Sequence, residues 1–205
     1  MIRQIVTAFG LAVFVAGCAG GGPVGQSGFL KDYSQLKPDP KIEGARSYRA
    51  AGLYKYRKFM IDPVIVHFAP NSEGRAIDPA KLKELTDYFH DAAVKGLSKN
   101  YQVVKRSGPG VLRFRVAITN IVETTPLLNI HPAMKLTGAG LGGASMEAEG
   151  IDSVSGKRVS AIVETAQGNR LSLAAGLSRF GHAKQVIDGW VERFVKRLDD
   201  AQNRR

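Results

Sequence analysis

Glu147 and Glu149 stand two residues apart in the stretch MEAEG. In a strand that spacing puts both carboxylates on one face. Paired carboxylates on one face could divide the roles of acid and base, as in glycoside hydrolysis. On an exposed sheet face the same pair merely carries solvated charge, and that is the expectation here. His67, His90, His131 and His182 stand apart, with no HExxH, CxxC or EF-hand spacing around them, so no metal site is expected. Gly138 to Gly143 reads GAGLGG and satisfies GxGxxG. No strand leads into it and no helix of adequate length follows, which argues against a dinucleotide cradle. Ser145, in GASME, fails the GxSxG nucleophile pattern. These spacings name no catalytic residue and imply no cofactor. One reactive side chain remains: the only cysteine, Cys18, which could be a thiolate, a metal ligand, a core residue or a point of lipid attachment.

Its neighbours choose among these. Arg3 is followed by an uncharged, mostly apolar run from Ile5 to Gly17, then by Gly20, Gly21, Gly22 and Pro23. A basic start, a short apolar stretch and small residues are the layout of a secretory signal. As a helix of about 13 residues it would rise roughly 20 Å, short of a ~30 Å hydrocarbon core. Val15-Ala16-Gly17-Cys18 resembles the bacterial lipobox, in which a diacylglyceryl group is attached to the cysteine sulfur and a peptidase cuts just before it. Cleavage is therefore expected between Gly17 and Cys18, with acyl chains such as palmitate mooring the mature chain at about 0.8 kcal/mol per buried CH₂. Ala19, rather than Asp, follows the cysteine, which by resemblance to sorted lipoproteins points to the outer membrane, with the periplasm as the facing compartment. The expected organisation is a signal peptide over 1–17, a lipidated flexible tether over 18–50, and one domain over 51–205.

Five stretches, SGFLKDYSQLKPDP (27–40), MIDPVIV (60–66), LTDYFHDAAVKGLSKNYQVV (85–104), GPGVLRFRVAITNIV (108–122) and MEAEGIDSVSGKRVSAIVE (146–164), resemble a family of proteobacterial lipoproteins catalogued as a domain of unknown function. The resemblance covers most of the mature chain in order. It implies a location and an architecture, and nothing about activity.

The elements that must position these residues follow from periodicity. Lys58 to Val66 reads as a strand interrupted by Asp62-Pro63. Asp78 caps a helix with Pro79 at its first position, and Leu82, Leu85, Phe89, Ala93 and Leu97 form one apolar stripe ending near Asn100. Tyr101–Lys105 and Val111–Val122 are expected as antiparallel strands joined by the turn at Ser107–Gly110. In the second, Leu112, Phe114, Val116 and Ile118 would face the core while Arg113, Arg115, Ala117 and Thr119 face water. Ser145–Asp152 and Arg158–Thr165 read as a hairpin around Ser155-Gly156-Lys157, with ion pairs to Arg113 and Arg115 if these strands are neighbours. A last helix over Ala183–Ala201 buries Ile187, Trp190, Val191, Phe194, Val195 and Leu198, and turns Lys184, Arg193 and Arg197 to water. The expected fold is α+β: a mainly antiparallel sheet of about 4–5 strands with two helices on one face.

Lys and Arg outnumber Asp and Glu by 29 to 18, a net charge of +11. That balance favours anionic partners such as a lipid, a glycan surface or an acidic envelope protein; nucleic acid fits the charge but conflicts with a secretory start. Two stretches could touch a partner. Thr124 to Gly143 is apolar and nearly uncharged, with Leu127, Leu128, Ile130 and Met134; it is either a binding loop or a cover folded over the sheet. Tyr54 to Phe59 interleaves aromatics with Lys55, Arg57 and Lys58, a pattern that could suit an anionic surface; the favoured reading is the entry to the first strand with its cations in solvent. The function expected is a membrane-anchored, non-enzymatic binding or assembly-accessory protein. A hydrolase using the glutamates or a histidine is the alternative, and a nucleic-acid-binding protein a weaker one.

Overall fold

The computed structural model describes residues 26–70, 72–125, 141–169 and 172–202. Eight strands, β1 (Lys37–Pro38), β2 (Ala45–Arg49), β3 (Lys58–Ile61), β4 (Ile65–Val66), β5 (Gln102–Val103), β6 (Val111–Val122), β7 (Gly143–Asp152) and β8 (Arg158–Gln167), form one sheet in the order β1-β2-β8-β7-β6-β3-β5, with β4 also on β6. Among the described residues, three α-helices accompany it: α1 (Pro79–Leu97), the short α2 (Leu173–Gly176) and α3 (Gly181–Gln202). The α+β class holds. The sheet, however, is larger than expected and mixed rather than mainly antiparallel, because β3 and β4 both lie parallel to β6, and β5 lies parallel to β3.

That parallel edge has a local origin. Helix α1 carries the chain over the sheet between β4 and β5, and such a crossover returns a strand parallel to the one that left. β5 is thereby delivered to the far side of β3, so Gln102–Val103 and β6 are not the direct partners that the intervening turn suggests. Asp62-Pro63 breaks the first strand as expected: β3 ends at Ile61, opposite Phe114, and β4 resumes three residues further along the same edge of β6, with Ile65 opposite Ala117. The Asp62 carboxylate takes three bonds from Arg113, at 2.7–3.0 Å, so Arg113 is paired within this edge rather than with β7.

Both long helices pack on one face. Asp78 Oδ1 accepts from Ala80 N at 2.7 Å with Pro79 next in line, which starts α1 where its cap signal predicts. Leu85 and Phe89 of α1 meet Ile187 and Trp190 of α3 over Ile118 and Met146 of the sheet, and Phe89 stacks on Trp190. Nearer the other end, Phe59, Leu97, Leu112, Phe114 and Leu198 close a second cluster. Each such side chain contributes roughly 1.5–3 kcal/mol on leaving water. Among the described residues, no helix is long and apolar enough to cross a membrane.

The opposite sheet face is not wet at its centre. Ala117 is buried there beneath residues 27–36, whose Phe29, Leu30 and Leu36 pack on Ala117, Ala161 and Val163, and Thr119, expected to face water, is buried too. The tether drawn from the sequence over 18–50 therefore reaches too far. Residues 27–36 are a strap bound across the sheet, and Ala45–Arg49 are a strand paired along five residues with β8.

Candidate functional site

Glu147 and Glu149 do share one face of β7, but that face is buried: they are 0% and 5% exposed. The expectation of solvated charge fails because the strap covers them. Ser27 N donates to Glu147 Oε1 at 2.6 Å, Leu30 N donates to Oε2 at 3.2 Å, and Tyr33 Oη donates to Oε2 at 2.6 Å. Tyr33 Oη in turn accepts from Gly28 N at 2.9 Å, a loop that closes only because Gly28 sits at φ +92, a conformation glycine adopts freely. Burial and the bond to Glu147 push the Tyr33 phenol up. Glu149 is held from both sides, by Arg115 Nη1 at 2.6 Å and Arg158 Nε at 3.2 Å. Arg158 also donates to the Asp32 carbonyl, and Arg115 lies 5.1 Å from the Phe29 ring centre. Every acceptor of this pair is thus engaged in fastening the strap. A buried carboxylate needs such donors merely to be tolerated.

Helix α3 is fastened by the same chemistry on the other face. Arg193 Nη2 donates to Glu164 Oε1 at 2.5 Å, and Arg197 forks onto Asp39 at 2.9 and 3.0 Å, where Ser47 Oγ also donates. Arg193 and Arg197 are therefore clamps: Arg197 is largely covered, while Arg193 keeps 41% of its side chain exposed as it grips Glu164. Burial opposes ionisation of Asp39, yet the bonds from Arg197, Ser47 and Lys41 N overcome it and hold the carboxyl far below the usual range. At Glu164 burial wins and the carboxyl is pushed up, against the pull of Arg193. The Trp190 indole N–H also influences Glu164, although the contact lacks hydrogen-bond geometry and Nε1 is left without a partner.

Between α3, α1 and strands β2, β8 and β7 lies an apolar cavity of about 420 Å³. Phe89, Phe114, Met146, Ile162, Trp190 and Phe194 contribute most of its bulk, Glu164 and Arg193 stand in its wall, and the exposed Arg49 and Ala51 stand at its edge. If sealed and empty, a void of that size would cost roughly 10 kcal/mol at ~24 cal/mol per Å³. That upper figure rivals the whole stability of an ordinary domain, about 5–15 kcal/mol. Composition gives no hint of this cavity, since its lining is the same set of stripe residues that predicts a filled core.

His182, at the start of α3, is 1% exposed; its Nδ1 accepts from Gly142 N at 3.3 Å and lies 3.1 Å from Thr124 Oγ1. Burial holds its pKa below the ordinary histidine value. His67 and His90 lie elsewhere, and among the described residues no three His, Cys, Asp or Glu side chains gather as a metal site would require. Lys55, Arg57 and Lys58 are exposed around a 3-10 turn (Leu53–Lys55) and the start of β3. Gly17, Cys18, Leu127, Leu128, Ile130, His131 and Met134 lie outside the described residues. Of the GxGxxG stretch, Gly143 opens β7, so a strand rather than a helix follows it.

No curated protein is similar enough in sequence to match. Among solved structures, a PelC dodecamer from Paraburkholderia phytofirmans is similar at 12% identity and a TM-score of 0.46, over 75% of this chain and 95% of that one. A Xanthomonas campestris protein of family DUF330 is similar at 12% identity and a TM-score of 0.41, over 76% of this chain and 92% of that one. A Helicobacter pylori homologue of a neuraminyllactose-binding hemagglutinin is similar at 13% identity and a TM-score of 0.38, over 82% and 94%. The family model described as a protein of unknown function, DUF3313, matches residues 25–194, most of the chain, and this protein belongs to that family.

Proposed function

We propose that this protein is an outer-membrane lipoprotein, anchored through acyl chains on Cys18, whose periplasmic domain binds an envelope component without catalysing a reaction on it. The observation that carries this reading is the fate of Glu147 and Glu149. The two carboxylates best spaced for acid–base work spend their acceptors on Ser27, Leu30, Tyr33, Arg115 and Arg158, and so hold down the segment that follows the lipobox. A hydrolase built on this pair would need them open to substrate, and the strap lies on top. The apolar cavity under α3 and the net charge of +11 supply two surfaces suited to binding. The exposed Lys55, Arg57 and Lys58 fit an anionic lipid or glycan surface, and the apolar Leu127, Leu128, Ile130 and Met134 fit a protein partner.

Expression of the full chain in a Gram-negative host, followed by membrane fractionation and intact-mass measurement, tests the anchoring. The expected result is a chain starting at Cys18, heavier by its acyl groups and recovered with the outer membrane, with Cys18→Ser released from it. A wild-type chain that keeps residues 1–17 and stays in the cytosol overturns the reading.

A further inference from the structure

We propose that the cavity beneath α3 is a binding site for the single acyl chain of an anionic amphiphile, with Arg49 holding the head group at its edge. The inference deepens the binding reading above by naming a ligand class for one site.

Shape and lining come first. The space is walled by phenylalanine, methionine, isoleucine and tryptophan side chains from α1, α3 and the sheet, and interiors pack closely enough that gaps much larger than a water are rare. At roughly 30 Å³ per water-sized group, 420 Å³ holds about 14 such groups, the heavy-atom count of a twelve-carbon fatty acid. Apolar pockets of about 300–1,000 Å³ with few polar groups are the usual form of small-molecule sites.

Charge decides which end carries a head group and of what sign. Four of the charged side chains bordering the cavity or its clamp cancel in pairs: Arg193 on Glu164 and Arg197 on Asp39. Arg49 is different. It is the last residue of β2, placed opposite Ser160 on the cavity side of the sheet and exposed at the edge, and it has no carboxylate partner among the described residues. An apolar chamber whose mouth carries one unmatched guanidinium is complementary to a ligand with an apolar tail and one anionic head. Carboxylate and phosphate heads share this chemistry, so a free fatty acid and a lysophospholipid are the two sources to separate.

The chain holds one tryptophan, Trp190, and it lines the cavity, so its emission reports occupancy directly. The full mature chain carrying Cys18→Ser, which removes its own acyl groups, is titrated with dodecanoate and separately with lauroyl lysophosphatidylglycerol, each below its micelle concentration. The expected result is a saturable one-to-one change in Trp190 emission with at least one of them; the arm that responds identifies the source. Arg49→Gln, a surface change that leaves the fold intact, is expected to weaken binding about tenfold, the value of one charge-assisted bond. Dodecyltrimethylammonium is expected to bind at least about tenfold more weakly than dodecanoate, since its head repels Arg49. Ala148→Leu, which fills part of the space, is expected to abolish the response while circular dichroism stays unchanged; Ala93→Leu serves if that variant fails to fold. No saturable change with either anionic probe, or equal affinity for the cationic probe and for Arg49→Gln, overturns the proposal. Fractionation plays no part in this test, so the anchoring reading and the cavity proposal stand or fall separately.

Discussion

Tyr33 Oη donates to Glu147 Oε2 at 2.6 Å across 114 positions of sequence, and this bond joins the segment just after the proposed anchor to the middle of the sheet. Ser27 N and Leu30 N complete the grip, so one fully buried carboxylate holds three donors from one strap. Glu147→Ala would leave two backbone amides and a phenol unmatched beside apolar neighbours. The expected cost is about 3–5 kcal/mol in urea unfolding, as for removing one partner of a buried charged contact. Brief trypsin treatment should cut the variant after Lys31 while sparing the wild type. Glu147→Gln, which keeps one acceptor, should lose roughly half as much.

The Asp39–Arg197 clamp gives the fold an acid-sensitive side. The Asp39 carboxyl is held lower in the folded chain than in the unfolded one, so its contribution is full above the ordinary aspartate value, about 3.9, and is lost as pH falls below it. Arg197→Met should lower stability at pH 7 by roughly 3 kcal/mol, since Asp39 then stays buried and unpaired. It should also flatten the fall in melting temperature between about pH 4 and pH 2.

His182 works in a different window. Burial keeps its folded-state pKa below the ordinary value, so the unfolded chain takes up a proton first as pH falls through about 6.5. Stability should therefore decline between about pH 7 and pH 5. His182→Gln should remove that decline, measured as urea midpoints at the two ends of the range, even if it lowers both.

Gly168 has no room for a side chain. A Cβ there would stand 2.3–2.5 Å from the Cδ2, Cγ and Cβ atoms of His182, two of them at the rigid root of that side chain. Gly168→Ala should destabilise the domain by about 3 kcal/mol, in the range of core overpacking, and should change the protonation of His182 seen by NMR.

Legibility in the sequence tracked how locally each feature is determined. Helix α1 announced itself through Asp78, Pro79 and a 3–4-residue apolar rhythm, all within twenty positions, and the β7–β8 hairpin through Ser155-Gly156-Lys157, where Gly156 sits at φ +70. The parallel edge did not announce itself. β3 and β5 pair over two residues each, and no side-chain pattern in so short a strand reveals its direction. Burial of Glu147 was illegible for a stronger reason: two of its three partners are backbone N–H groups more than a hundred residues away, and every residue type carries one of those. Phe29, Leu30 and Leu36 are the available sign, three large apolar residues within the stretch expected to be a flexible tether, and Tyr33 among them is the one side-chain donor to Glu147. The pairing of Arg193 and Arg197 is illegible because a helical wheel places charges outward and cannot register a facing carboxylate on a strand.

Because the grip on Glu147 begins at Ser27, only nine residue-to-residue steps separate the proposed anchor, Cys18, from the folded unit. Fully drawn out they span at most ~30 Å, close to one radius of gyration on either side of a domain this size. On the anchoring proposed above, a domain so closely leashed would patrol a shell about its own width deep above the bilayer, and a ligand would have to meet it at the membrane surface.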